Sequence, residues 1–507
     1  MPVETLRQSL HPVASPVSAR ESVEWLVDNA RAYDAILHSI RKARRSVWIS
    51  QLAFDADCVA HDPSGGKETE LLETIVGAAE RESLDVRILL NESLLVDTAA
   101  PMRSALARMN ATGIEVRGVS RFPQLLHAKL LIVDDREAFV LGSPFVNGYW
   151  DDDTHRPADS RRPARELGGR PLHDLSMRVR GTIVHELCDI FEELWEDVSG
   201  KQHRVTNTPR RRPRALSSTG GGMRAISTIP RNVLPGLPEG RTEILAAMVR
   251  GIGRAHSLLY LEHQYLSSRA VVGALAAALA RSPMLEVIVL LNQNPDVTAY
   301  RGWQMARLAE SGLLAHPRVG LFALWSAESR VDGVLALNQV FVHSKVIVAD
   351  DDWATVGTAN IDGVSLHSYG DDFESAIGQR VFRNVRNFDV NLEIPGDDGS
   401  GSIAALRLLL WSEHLGPDVE LDQRPRAGWL HLWRERAAAN IAMLNGTTLA
   451  HPVRARGSFV LPYSTESTPA AQLTSLGIHP NSAIELHFKP SWLEVHCSPN
   501  WIRNMFT

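Results

Sequence analysis

Two short stretches of this sequence carry residue types suited to chemistry on a phosphate. His127-Ala-Lys129 is followed five residues beyond the lysine by Asp134, and His343-Ser-Lys345 is followed by Asp350 at the same spacing. Both lie in strand-like text, LLHAKLLIVDD and FVHSKVIVADD, where residues i and i+2 point to one face. Histidine and lysine then project together, with Ala128, Leu130 and Ile132 turned to the core on the other side. A lysine on a half-buried strand is costly unless an anion meets it, and a phosphate would do so. The aspartates fall where strand gives way to turn and read as structural groups. Two histidines, one from each copy, suit a double displacement at phosphorus. One attacks to give a phosphohistidine; the other protonates the leaving alcohol and deprotonates the incoming one. Lys129 and Lys345 would neutralise the developing charge, so the scheme needs neither a metal nor another cofactor.

The elements that must position these residues repeat along the chain. AILHSIRKARRSVWISQLAF and EILAAMVRGIGRAHSLLYLEHQYL each read as a helix followed by an apolar strand. DVRILLNES at 85–93 is matched by EVIVLLNQN at 286–294, each a β-rich run ending in a polar turn. LARMNATGIEVRG finds a looser echo in ARLAESGLLAHPRVG, and each half closes on a motif strand. Helices alternating with buried strands predict an α/β fold in two similar lobes, each a mixed β-sheet flanked by helices. The boundaries read as a first lobe over 1–200, a linker over 201–222, a second lobe over 223–450 and a C-terminal extension over 451–507. The linker text, KQHRVTNTPRRRPRALSSTGGG, is rich in Pro, Arg, Ser and Gly without periodicity. Its glycines are not a phosphate loop, since no Gly-Lys-Ser/Thr follows.

Composition narrows the classes. At 507 residues the chain exceeds one ordinary core. Its net charge of −6 argues against a protein that coats nucleic acid, although a local basic groove would not show in the sum. Of its 53 basic residues only Lys42, Lys67, Lys129, Lys201, Lys345 and Lys489 are lysine, so a lysine in both motifs is informative. Cys58, Cys188 and Cys497 lie far apart, which gives no zinc spacing and no disulfide framework. No apolar run approaches bilayer length and the first residues lack a signal-peptide core. A cytoplasmic protein, or one exported without a Sec signal, touching membranes only peripherally, is the expectation.

The paired motif resembles the hallmark of the phospholipase D superfamily, His-x-Lys-x4-Asp-x6-Gly-Ser/Thr-x-Asn. The second copy fits throughout, with Gly357-Thr358-Ala359-Asn360 six residues past Asp350. The first departs: seven residues separate Asp134 from Gly142-Ser143, and Phe145 stands where Asn is expected, with Asn147 two positions later. Either a one-residue bulge brings Ser143 or Asn147 to the phosphate, or that contact is missing. NGYWDDDTHRPAD followed by RPLHDLSMRVRG, LYLEHQYL, and LRLLLWSEHLG at 406–416 are similar to further elements of phospholipase D proper. The resemblance covers roughly residues 30–445. It implies that His127 is the nucleophile and His343 the acid/base, or the reverse, and that Asn360 donates to the phosphate. It also implies a carboxylate on the far nitrogen of each ring: Asp174 for His127 and Glu374 for His343, with Asp159 and Asp372 as alternatives. Glu262 reads as a wall of the site or as a buried structural pair, and Tyr149 and Trp150 as an entrance or as core. The implied substrate is a phospholipid at a membrane surface, handled by a monomer. Nucleic acid is the rival substrate, and a lipid-binding pseudoenzyme the reading without catalysis.

Overall fold

In the computed structural model the described residues are 15–487, apart from 19–20, 62–67, 82–83, 92–98, 113, 120–123, 163–168, 200–221, 235–236, 397–400, 447–456 and 481–482. The linker reading at 201–222 therefore lies outside them except for Gly222. The fold is mixed α/β and internally duplicated. One sheet has the strand order Ser15–Ser18, Glu21–Val27, Leu175–Arg180, Glu137–Val140, Leu130–Val133, Ser46–Gln51, Asp85–Asn91, Glu115–Val119. The second runs Arg241–Thr242, Arg224–Ile229, Asp389–Pro395, Trp353–Gly357, Lys345–Ala349, Leu258–His263, Glu286–Leu291, Val319–Ser329, Leu335–Gln339, Ile484–Leu486. From Glu21–Val27 and Arg224–Ile229 onward the two correspond strand for strand. In both, the strand after the first long helix pairs in parallel with the next strand of its own sheet and antiparallel with the motif strand. The tail adds to the second sheet: Ser458–Pro462 runs antiparallel to Val319–Ser329, and Ile484–Leu486 parallel to Leu335–Gln339.

Period-two burial explains the layering. Ala128, Leu130 and Ile132 of the first motif strand, and Val346 and Val348 of the second, enter one continuous apolar core that takes residues from both sheets. The helices Ile183–Ser199 and Ser402–Leu415 pack into that same core through Leu187, Phe191, Leu406 and Trp411. The alternate residues, Leu131 and Val133 or Ile347 and Ala349, face outward against each lobe's own helices. Those helices are amphipathic at the 3.6 period, as in Tyr33, Ile36 and Ile40 of Asn29–Lys42 or Ile244, Met248 and Ile252 of Glu243–Arg254. Among the described residues no helix is long and apolar enough to cross a membrane.

The motif aspartates close the hairpins that follow the motif strands. Asp134 and Asp135 (φ 56° and 53°) and Asp350 and Asp351 (φ 53° and 59°) occupy the two central positions of each turn. Positive φ at both positions matches the right-handed twist of the flanking strands, and Asp tolerates it. The first aspartate of each pair then binds three consecutive backbone N–H groups across the sheet. Asp134 accepts from Arg44, Arg45 and Ser46, and Asp350 from His256, Ser257 and Leu258 at 2.6–2.8 Å. These amides start the neighbouring strand and otherwise lack acceptors. Burial opposes the charge on Asp134, but the three N–H donors outweigh it and hold its carboxyl below the usual range.

Replacing Asp350 by Ala should destabilise the fold by about 3 kcal/mol, because charged acceptors are lost to three amides and a β-carbon is left without its partner at positive φ. Urea unfolding with an unchanged m-value would read this. For Asp134 the folded pKa lies below the unfolded one, so its contribution is full above the ordinary carboxylate range. It should be lost as pH falls through the depressed value, and Asp134→Asn should abolish that segment of the stability–pH curve.

Candidate active site

The two motifs meet because the halves exchange short strands. Leu126 bridges Phe388 in parallel; His127 N donates to Phe388 O (2.9 Å) and Phe388 N to Leu125 O (2.9 Å). On the other side Phe341–Val342 pairs in parallel with Leu172–His173, and His343 N donates to His173 O (2.8 Å). Each exchange delivers the next residue of the partner strand, an aspartate, to a histidine. His127 Nδ1 lies 2.6 Å from Asp389 Oδ1, and His343 Nδ1 lies 2.9 Å from Asp174 Oδ2. The orienting carboxylates are thus crossed: the first half's histidine is held by the second half's aspartate, and conversely.

This corrects the pairing expected from sequence. Asp174 serves His343, not His127. Glu374 is exposed on its own surface segment, ion-paired to Arg307 (2.5 Å) and Arg269 (3.2 Å), and has no part in the site. Asp372 is buried but accepts from Ser267 Oγ and Gly363 N, and Asp159 binds Arg161. Asp389 went unread. The signal was present: Gly142-Ser143 and Gly357-Thr358 each precede their aspartate at the same interval, since Ser143–Asp174 and Thr358–Asp389 are both 31 residues apart.

The loops after the motif hairpins support these aspartates. Ser143 Oγ donates to Asp174 Oδ2 and lies 3.2 Å from His343 Nδ1; Thr358 Oγ1 donates to Asp389 Oδ1 at 2.7 Å. Hairpin registers are identical in the two halves, so the extra residue of the first copy falls after the strand, at Leu141. It brings Ser143 back to the place of Thr358. Gly142 is required there, because a Cβ would stand 1.9 Å from Asp174 Oδ1. Ser143 and Asn147, read as phosphate contacts, meet protein groups in this structure. Ser143 spends its proton on Asp174, while Asn147 accepts from Val59 N (3.0 Å) and donates to Asp57 O (2.6 Å). Phe145 packs against Tyr33 and Phe54 in the core. In the second half Asn360 is nearly buried and its Oδ1 has no hydrogen-bond partner.

Lys129 and Lys345 are buried, each ammonium donating to the carbonyl of its own histidine, His127 and His343. Burial pushes both lysines down, Lys129 to about 7 with help from the charge of Lys345, and Lys345 to about 8. Burial also lowers both histidines, with the motif lysines adding to it: His343 falls to about 3, against the pull of Asp174, and His127 falls despite Asp389. The charge of Lys345 is felt at His127 and that of Lys129 at His343, so the four side chains form one electrostatic unit. Asp174 and Asp389 stay ionised, because their histidines outweigh the cost of burial. Tyr149 stands edge-on to the His343 ring at 5.1 Å, while Trp150 is buried under Arg161 and beside His61. Glu262 is fully buried, receiving Ser344 Oγ and Tyr260 OH.

A duplicated α/β sandwich that pairs two lysine-flanked histidines across its halves defines a class, and sequence comparison agrees with it. A family described as "Cardiolipin synthase, PLD-like domain" matches twice, over residues 36–145 and 248–377, and one described as "Phospholipase D" matches 334–464. The chain belongs to the phospholipase D superfamily. It is 22% identical over 404 residues to the probable cardiolipin synthase YwiE of Bacillus subtilis (74% of this chain, 66% of that protein). It is likewise 22% identical over 475 residues to phospholipase D A of Dictyostelium discoideum (80% and 36%). The chain spans about two thirds or less of the length of these curated relatives. The crystal structure of a phosphatidylserine synthase from Haemophilus influenzae superposes with a TM-score of 0.50 at 13% identity, covering 84% of this chain and 95% of that one, a likeness of fold.

A small phosphodiester such as dimethyl phosphate, whose own charge is constant near neutrality, should bind with uptake of protons at pH 8. The free site then holds Lys129 mostly neutral and Lys345 about half protonated, and the bound anion favours the ammonium form of both. Affinity should fall as pH rises through 7 to 8. Calorimetry in buffers of different ionisation enthalpy reads the protons; pH-independent affinity would contradict the assignment.

Proposed function

We propose that the chain is a phosphodiesterase working through a phosphohistidine, and that its substrate is a glycerophospholipid, hydrolysed to phosphatidic acid and free headgroup with transfer to another alcohol as a companion reaction. The observation that supports it best is the crossed pair, each imidazole backed by the other half's carboxylate and flanked by a buried lysine. Asp389 and Asp174 occupy Nδ1 of each ring and leave Nε2 for the substrate. His127 Nε2 attacks phosphorus, the bond to the headgroup oxygen breaks, and His343 Nε2 supplies the proton to that oxygen. His343 then takes a proton from water or an alcohol, whose oxygen displaces His127. The anionic substrate raises His343 toward the protonated form needed for the first half, and Lys129, Lys345 and the amide of Asn360 carry the phosphoryl charge. Choice of phospholipid over other diesters follows the relatives named for phosphatidyl transfer and phospholipid hydrolysis.

The test incubates the purified chain with mixed phosphatidylcholine and phosphatidylglycerol vesicles and, separately, single-stranded DNA, with EDTA added to the assay. Headgroup release and phosphatidic acid are expected, with His127→Ala and His343→Ala each losing at least about three orders of magnitude. Quenched in detergent at alkaline pH, where a phosphorus–nitrogen bond to imidazole survives, His343→Ala should retain labelled phosphatidyl group on His127 if His127 is the nucleophile. Cleavage of DNA with lipid untouched would move the substrate to nucleic acid, and no turnover of either would leave a binding protein. Asp389→Asn should reduce turnover by roughly 10²–10⁴-fold with little change in stability, as expected for loss of the tautomer-fixing anion.

A further inference from the structure

Directly behind His343 and Asp174 lies a second group of buried histidines and carboxylates that the phosphodiester chemistry does not use. Asp28 comes from the junction of Glu21–Val27 with the helix Asn29–Lys42, and His155 from the loop after Trp150. His173 comes from Leu172–His173, and Glu413 from the helix Ser402–Leu415. His155 and His173 are fully buried, Asp28 is 2% and Glu413 13% exposed at the side chain. Glu413 Oε1 lies 3.1 Å from His155 Nε2 and 2.9 Å from His173 Nδ1. Asp28 lies 3.2 Å from His173 Nδ1 and 3.6 Å from His155 Nε2. Four ligands at about 2.0–2.1 Å in a tetrahedron stand about 3.3 Å from one another, and these separations bracket that edge.

The outer side of each ring points the same way. His155 Nδ1 lies 3.0 Å from Asp151 Oδ2, and His173 Nε2 lies 2.6 Å from Glu262 Oε1. Both outer carboxylates are themselves anchored, Asp151 by Leu172 N and Arg162, Glu262 by Tyr260 and Ser344. A carboxylate on the far nitrogen of a ring is how metal-bound imidazoles are oriented. Read as ion pairs alone, the cluster needs two doubly protonated imidazoles side by side, their rings 5.7 Å apart in the interior. It also leaves Asp28 Oδ2 and both ring nitrogens of His173, which lie beside carboxylates, without an aligned hydrogen bond. Read around a cation, both rings are neutral, their outer nitrogens face Asp151 and Glu262, and the inner lone pairs have a partner. Asp28 adds a sign of its own: at φ 63° and ψ 153° it occupies a region that glycine alone enters without strain.

We propose that Asp28, His155, His173 and Glu413 bind one first-row divalent cation, zinc foremost, as a structural centre joining the two halves. Three ligands come from the first half and Glu413 from the second. The centre does not touch the phosphate. It holds the strand that carries Asp174, whose backbone is paired with that of Asp28 (Asp28 N to Asp174 O, 2.8 Å).

The full chain, folded with zinc present and dialysed against EDTA, should retain one equivalent by plasma mass spectrometry. Refolded with cobalt(II), it should show the intense visible bands of a tetrahedral ion. Glu413→Gln and His155→Gln should lose the metal, Asp151→Asn should weaken its retention roughly 10- to 100-fold, and His343→Ala should keep it. A cooperatively folded wild type that holds only traces of zinc and no cobalt spectrum overturns the proposal, as does metal retained equally by Glu413→Gln and His155→Gln. Should those variants fail to fold, the wild-type metal content and spectrum decide the matter. None of these readouts uses turnover, so their failure is separate from failure of the phospholipid reading.

Discussion

The structure depends on an exchange of backbone between its halves. Two short parallel pairings, Leu126 with Phe388 and Leu172–His173 with Phe341–Val342, are small in hydrogen bonds yet decide where every reacting group stands. Because an aspartate follows each donated segment, each histidine takes its orienting carboxylate from the other half. The duplication is therefore not two sites side by side. Each lobe alone would hold a histidine without its anion and an anion without its histidine, and burial makes either state expensive.

That burial also sets the electrostatics. Two lysines and two histidines share a water-poor pocket with two carboxylates, and burial is the largest cause of the downward shifts of both lysines and both histidines. With both aspartates ionised and burial holding back the charge of the lysines and histidines, an arriving phosphate anion favours their protonated forms, and the fixed geometry then stabilises the phosphoryl group. The apolar core shared by both sheets, to which Phe191 and Trp411 belong, keeps the halves in register so that this arrangement is held rather than found on binding. The departures between the copies fit the same logic. Leu141 adds a residue in the first half, but the hydroxyl that supports the carboxylate is kept in place.

The buried group behind His343 extends the theme of joining. Asp28, His155, His173, Glu262 and Glu413 come from segments scattered over the chain and are brought together at the seam of the lobes, where His173 precedes Asp174 and Glu262 accepts from Ser344, the residue after His343. Cross-lobe electrostatics thus operate twice, at the phosphate site and beneath it.

Read by itself, the sequence determined the layered α/β class, the repeat, the motif strands and the residues at their ends. All of these are local: a period of two in LLIV and KVIVA, a helix-then-strand cadence, an Asp-Asp turn. The pair His127/Lys129 and its counterpart were legible because their spacing is a property of a single strand. Which carboxylate serves which histidine was decided only by the tertiary structure, since it depends on strands contributed across the interface. The family resemblance implied Asp174 for His127 and Glu374 for His343; the fold paired His127 with Asp389 and His343 with Asp174, and left Glu374 exposed against arginines. The fates of Ser143, Asn147, His155 and His173 were hidden for the same reason. Local spacing says which way a side chain points, and packing alone says what it meets.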